Sequence, residues 1–221
     1  MSKSAKTSKC AGRRLFGTKR IRSVMKNRRK IIVFIATSAD GYIARPDGDV
    51  GWLDRPRPKG NYGMGEFFRS IDTILWGRKT YTKGLEMGAS PAGYGSKVRT
   101  YVFSHQPPAS SAPGVEFVNE PVETFANRLR ATPGKDIWMM GGAGLIGSFL
   151  DAGQIDEFIV NIVPVFIGEG IPLIQPRRRA VPLALLSTRS YPDGVVRLHY
   201  SVIRRPADSP ALEKAAHAKR K

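Results

Sequence analysis

The sequence predicts an α/β domain built on a mostly parallel sheet, with antiparallel strands at its C-terminal edge. Two observations carry that prediction. From residue 31 to residue 165, short apolar runs alternate with amphipathic segments of helical period. After Pro182 the alternation stops, and "PLALLSTRSYPDGVVRLHYSVI" reads as two long strands around a "PDG" hairpin signal. A chain of 221 residues can hold one such domain with a sizeable core, and no internal repeat or second core interrupts it.

Ile31–Ala36 is a continuous apolar, β-branched run and reads as a buried strand. "ADGYIARPDGDVGWLDRPRPKGNYG" follows as a loop dense in Gly, Pro and Asp, of a length that in a compact domain is usually functional. Gly65–Ser70 reads as a helical segment with Phe67 and Phe68 inward. Thr73–Trp76 is a short buried strand ending in "GRKT", and Arg78–Gly84 starts a helix before the loop "GASPAGYGS". Val98–Phe103 and Val115–Val118 are strands separated by "SHQPPASSAPG". Pro121–Arg130 is a helix, with proline in its first turn and Val122, Phe125, Ala126 and Leu129 on one face. Asp136–Met140 is a strand, Gly144–Ala152 a short helix and Phe158–Val165 a strand.

The net charge of +18 is concentrated at the ends. The first 30 residues hold twelve lysines and arginines and no acid, and residues 204–221 carry a net +4, which leaves +2 for the body. Nucleic acid is therefore expected to bind only through the tails, if at all. The chain divides into a basic N-terminal extension (1–28), a domain (29–203) and a basic tail (204–221). The extension lacks the apolar core of a secretory signal. It reads as an organellar transit peptide, as a basic arm, or as sequence upstream of a natural start at Met25. The last reading is preferred, because "MKNRRKIIVFIA" enters a strand almost at once. The longest apolar runs are too short to span a bilayer, so a cytoplasmic protein is expected. A lone Cys10 and three histidines argue against a structural zinc site, and no metal is expected.

Gly142-Ala143-Gly144-Leu145-Ile146-Gly147 matches GxGxxG, the fingerprint of a dinucleotide-binding turn. That fingerprint needs βαβ units downstream and an acid about 20 residues on. Here most of the alternation lies upstream, and Glu169 falls in the turn-like "GEGIP". The Rossmann topology fails on this context, but the local physics survives. Adjacent glycines after a buried strand let the backbone approach a ligand, and the helix that follows offers free N–H groups and a positive dipole end. That suits a pyrophosphate. A turn that merely lets helix and strand pack is the alternative.

Four stretches taken in order weigh for the ligand: "IATSADGYIARPDGDVGWLD", "GRKTY", "YVFSHQ" and "MMGGAGLIGSFL". Together they resemble the dihydrofolate reductase-like superfamily. "IVPVFIGEGIPLI" resembles its bacterial branch related to the C-terminal reductase domain of riboflavin biosynthesis. The resemblance covers roughly residues 30–203. It implies a three-layer dihydrofolate reductase-like fold, a homodimer, NADPH as cofactor and a small heterocyclic substrate. It also implies that Gly141 and Gly142, with Ala143, Gly144 and Leu145 at the helix start, contact the cofactor pyrophosphate. Thr80 would lie near the pyrophosphate and Arg78 near the adenosine 2′-phosphate, with Gly77 allowing the approach. Ser104, with His105 beside it, would lie near the same 2′-phosphate. Ala36 and Ile43 would contact the nicotinamide. Trp52 matches the family's loop tryptophan, and Asn161 falls near a substrate-contacting position.

The sequence also departs from the pattern. The acid that dihydrofolate reductases carry on the first helix falls here at Met64, and the acid expected before the glycine pair is Met140. The fused deaminase with its zinc motif is absent from this sequence. Of the remaining acids, Asp40 reads as a turn cap. Asp54 is the preferred candidate for substrate contact and catalysis, with the proton coming from Asp54 or from water, and Glu66 is a further candidate substrate contact. The expected function is an NADPH-dependent reductase transferring hydride to C=N or C=O of a pterin- or pyrimidine-like ring. The alternatives are the 5-amino-6-(5-phosphoribosylamino)uracil reductase of riboflavin synthesis, and a non-catalytic reductase fold whose basic tails bind polyanions.

Overall fold

A computed structural model describes residues 28–95 and 97–204. Except for Arg28 and Arg204, the predicted N-terminal extension and C-terminal tail lie outside the described residues.

In chain order the strands are β1 (Ile31–Ser38), β2 (Tyr42–Ala44), β3 (Ile71–Gly77), β4 (Arg99–Phe103), β5 (Val115–Val118), β6 (Asp136–Gly141), β7 (Glu157–Val163), β8 (Ile171–Pro172), β9 (Leu183–Ser190) and β10 (Val196–Val202). The helices are α1 (Met64–Ser70), α2 (Arg78–Glu86), α3 (Val122–Ala131) and α4 (Ala143–Asp151). One sheet takes eight strands in the order β5-β4-β3-β6-β1-β7-β10-β9. The strands from β5 to β7 run parallel, and β10 and β9 run antiparallel at one edge. The predicted fold class is therefore the observed one.

Alternation along the strands divides the core between two faces. Ile31, Val33, Leu75, Ile137, Met139, Phe158 and Val160 meet Phe125 and Leu129 of α3 and Ile146, Phe149 and Leu150 of α4. Ile32, Phe34, Ile74, Trp76, Trp138 and Ile159 meet Phe67 of α1 and Tyr81 of α2. Helices thus cover the sheet on both faces, which gives the three layers. Strands buried on both sides read as the unbroken apolar runs seen in the sequence.

Charge ties the N-terminal ends of the strands together. Arg29, 5% exposed, bonds to Asp72, to the Thr73 hydroxyl at 2.7 Å and to the Lys135 carbonyl at 2.6 Å. Asp156 accepts from Arg28 at 2.6 Å, Arg130 at 2.5 Å and Arg204 at 2.5 Å. Both ends of the described chain are therefore fastened to one carboxylate.

Several features differ from the sequence reading. β7 ends at Val163, two residues short of the expected Val165, and the expected loop after α2 holds a 3-10 turn at Pro91–Tyr94. β1 runs two residues past Ala36, because Thr37 and Ser38 pair with Ile162 and Val163 of β7. The long loop after β1 contains β2, which pairs with β8 as a separate two-stranded sheet, and 3-10 turns at Gly51–Leu53 and Asn61–Gly63. Segments of two or three residues are too short to show a period. No helix among the described residues is long and apolar enough to cross a membrane.

Candidate functional site

β3 and β6 are neighbours in the sheet, and each gives way at its C-terminal end to a helix through glycine. Gly77 precedes α2, and Gly141-Gly142 precedes α4. The two helices start side by side on opposite faces, so two sets of unpaired N–H groups and two positive dipole ends converge there. The glycines permit the convergence. A Cβ at Gly77 would come within 3.4 Å of the Gly142 nitrogen, and one at Gly142 within 2.7 Å of the Thr80 hydroxyl oxygen. Gly141 has φ +111°, a conformation that disfavours any side chain.

A cleft of about 640 Å³ opens at this point. Ile43, Arg78, Thr80 and Gly142 line it, together with Ile35 and Met140. The Arg78 guanidinium lies 5.3 Å over the Phe117 ring. Among the described residues no carboxylate pairs with Arg78, and Lys79 adds a second cation to the wall. Ala143, Gly144 and Leu145 form the first turn of α4 beside it.

A second hollow of about 290 Å³ adjoins the cleft, and Ile35 and Met140 line both. Ala36 and Asn161, paired across β1 and β7, lie in its wall. Leu53, Arg55, Arg57, Asn61, Tyr62 and Met64 close it from the loop side. Asn161 is 4% exposed, and its Oδ1 has no hydrogen-bond partner among the described residues. A buried amide oxygen without a partner is costly, so it marks a place for a donor from a ligand or water. The lining contains two arginines and no carboxylate.

The structure gathers Ile43, Gly77, Arg78, Thr80, Gly141, Gly142 and the start of α4 around the cleft, and places Ala36 and Asn161 at the hollow. It moves other expected residues away. Asp54 is exposed and does not line the hollow, because the 3-10 turn Gly51–Leu53 points Leu53 inward and ends with Asp54 facing solvent. Trp52 lines neither space; it packs behind the hollow, in the apolar cluster of Val163, Tyr191 and Val195, of which Val163 and Val195 form part of the hollow's wall. Glu66 is exposed on α1. Phe67 faces the core, and Met64, one turn before it, shares that face and lines the hollow.

Ser104 and His105 lie outside the cleft lining. The Ser104 hydroxyl is engaged in its own turn with the carbonyl and N–H of Gln106, at 2.9 and 3.2 Å, and His105 is exposed. Both sit at the end of β4, next to the strand whose Phe117 lies under Arg78. Sequence reasoning missed the hollow's loop wall of Arg55, Arg57 and Tyr62. Its only signal was the density of basic and aromatic residues in "RPRPKGNYG".

Comparison with known proteins bears on the family and the fold. The model of the RibD C-terminal domain family matches residues 29–197. The chain is 37% identical over 172 residues to the uncharacterized protein YwjB of Bacillus subtilis strain 168, covering 78% of this chain and 97% of that protein. The crystal structure of a candidate riboflavin biosynthesis protein from Shewanella sp. PV-4 superposes with a TM-score of 0.70 at 25% identity, covering 79% of this chain and 99% of that one. Dihydrofolate reductase from Enterococcus faecalis, solved with NADP(H), shares the fold with a TM-score of 0.58 at 16% identity, covering 79% of this chain and 97% of that one.

Proposed function

The chain belongs to the RibD C-terminal domain family, and from that premise we propose that it is an NADPH-dependent reductase of a small heterocycle. The observation that carries the reading is the convergence of two helix N-termini at Gly77 and Gly142, opening into a cleft that shares Ile35 and Met140 with a second hollow. NADPH would supply a hydride when bound.

The residues fit that cofactor. Gly142 leaves the space that a Cβ would fill beside Thr80, where backbone N–H groups and the Thr80 hydroxyl would hold a pyrophosphate. Arg78 and Lys79 would hold the 2′-phosphate, with Ser104 and His105 at its margin. Ile43 and Ile35 would bound the nicotinamide, and Met140 would separate it from the sheet. Ala36 has a small side chain and would leave room for the heterocycle, while Asn161 would meet one of its N–H or O–H donors. The chain's contribution is to align two rings in adjoining spaces and keep water from between them. Asp54 and Glu66 stand outside this space, so the proton is assigned to water.

Arg55 and Arg57 in a hollow without an acid favour a substrate that carries an anion. That supports a second, narrower reading: reduction of 5-amino-6-(5-phosphoribosylamino)uracil. The same absence of a carboxylate disfavours a protonated pterin.

The reading includes a homodimer. β9 is a sheet edge, and Leu183 and Leu185 on it are 43% and 57% exposed. They extend the face of Tyr200 and Val202 beyond the covering helices. An apolar edge of this kind, with no further strand beside it among the described residues, can pair with its own copy across a two-fold axis.

Fluorescence titration with NADPH and NADH tests the cofactor. Tight binding of NADPH is expected, with Arg78→Ala weakening it about 10- to 100-fold and leaving NADH unchanged. No binding of either at roughly the millimolar affinities of weak complexes would sink the proposal.

A further inference from the structure

Among the described residues, the loop that walls the second hollow is hydrogen-bonded to distant parts of the fold at one place. Within residues 54–63 the backbone N–H bonds stay local, Asp54 to Gly51, Asn61 to Pro58 and Gly63 to Gly60. Among the described residues, its side-chain and carbonyl bonds to distant parts of the chain all end on the β9–β10 hairpin. The Tyr62 hydroxyl donates to Asp193 Oδ2 at 2.5 Å. Arg55 Nη2 donates to the Asp193 carbonyl at 2.6 Å, and its Nε lies 3.7 Å from the Asp193 carboxylate. Arg197 donates to the Tyr62 carbonyl at 3.3 Å. The Tyr62 ring meets Tyr191 edge-on at 5.0 Å.

Asn61 and Tyr62 both hold positive φ, +44° and +52°. Asn visits that region readily, but a bulky residue such as Tyr62 keeps it only where its surroundings impose it. The groups bonded to Tyr62 there are Asp193 and Arg197. Asp193 does not line the hollow, whereas Arg55 and Tyr62 do.

We infer that Asp193 is a positioning residue. It clasps the loop and so fixes where Arg55 and Tyr62 present themselves to the heterocycle. Its link to substrate rests on the reading of the hollow as the substrate site; the clasp itself does not. Arg55 is partly neutralised by this carboxylate, whereas Arg57 has no acid partner among the described residues. An anion entering the hollow therefore meets Arg57 as the open charge and Arg55 as the held one.

The test uses the full chain and three variants. Asp193→Ala removes the carboxylate's three contacts, to Tyr62, Arg55 and the Val195 N–H. Asp193→Asn keeps an acceptor for Tyr62 and drops the charge that draws Arg55. Tyr62→Phe removes the hydroxyl alone. Two readouts are taken. One is steady-state oxidation of NADPH with 5-amino-6-(5-phosphoribosylamino)uracil. The other is trypsin cleavage at Lys59–Gly60, followed by mass spectrometry. Arg55 and Arg57 are each followed by proline, so Lys59–Gly60 is the trypsin-sensitive bond of this loop.

For Asp193→Ala, KM is expected to rise about tenfold with kcat within about twofold. NADPH affinity should stay unchanged, and cleavage at Lys59 should be about tenfold faster. Asp193→Asn should recover part of each change, and Tyr62→Phe should reproduce part of each. Unchanged KM and cleavage in Asp193→Ala would overturn the inference. So would a loss of NADPH affinity parallel to the loss of substrate affinity, because that marks a general loosening. Should Asp193→Ala fail to fold, Tyr62→Phe decides by the same two measures. If the parent chain does not turn over the pyrimidine, the substrate reading fails and the Lys59 cleavage rates alone decide the clasp.

Discussion

Gly142 shows at the scale of one residue how position and chemistry are joined. Its requirement for glycine comes from Thr80, which arrives from another helix with its hydroxyl 2.7 Å from where a Cβ would stand. Gly142→Ala is therefore expected to push Thr80 out of the cleft and weaken NADPH binding about tenfold or more, as read by fluorescence titration. Adding Thr80→Ala should relieve the clash and leave the double variant no weaker than Thr80→Ala alone. Asp193 yields a pH prediction. The Tyr62 hydroxyl first, and then the Val195 N–H and Arg55, hold its carboxyl below the usual aspartate range. A depressed carboxyl contributes stability above its unfolded pKa and loses it as the pH falls through the folded one. Loop 54–63 should therefore stay clasped at neutral pH and open to proteolysis below about pH 4, which pepsin digestion would read. Tyr62→Phe should shift that opening to higher pH.

Among the elements, the strand ends opposite the cleft carry a cluster of ion pairs on Asp156. Arg130 on α3 has a side chain only 4% exposed and reaches Asp156, which also receives Arg28 and Arg204. Burial pushes the Arg130 guanidinium down to about 10, with Asp156 opposing the shift. Asp156→Ala leaves that cation buried and uncompensated, so a loss of about 3 kcal/mol is expected, measurable by urea denaturation. The cleft lies at the other end of the strands, and NADPH affinity should survive the change. At this scale the sequence was legible wherever an element buried a periodic face. The apolar run of β1, the proline-started α3 and the "PDG" hairpin are all where the pattern put them. β2 and β8 were not legible, because each exists only through pairing with the other across more than a hundred residues.

For the whole molecule, the antiparallel hairpin does two things at once. Its turn and β10 hold the loop through Asp193 and Arg197, and its outer strand exposes Leu183 and Leu185. If two chains meet along β9, as proposed, Leu185→Glu should convert the dimer into single 24.3 kDa chains in light scattering. NADPH affinity should be retained, because the cleft is built from β3, β6 and their helices.

By itself the sequence determined the fold class, the order of the elements and the glycine-bounded helix starts. Those depend on local spacing: period, turn chemistry and glycine written along a few consecutive residues. Only the tertiary structure decided which side chains share a space. Asp54, Glu66 and Trp52 are close in sequence to the hollow, yet a single 3-10 turn and one helical step aim them elsewhere. Arg55, Tyr62 and Asn161 come together from a loop and a strand about a hundred residues apart. No local rule links such residues, because the direction of a side chain is set by what packs behind its backbone, and here that backing is the hairpin at the far end of the chain.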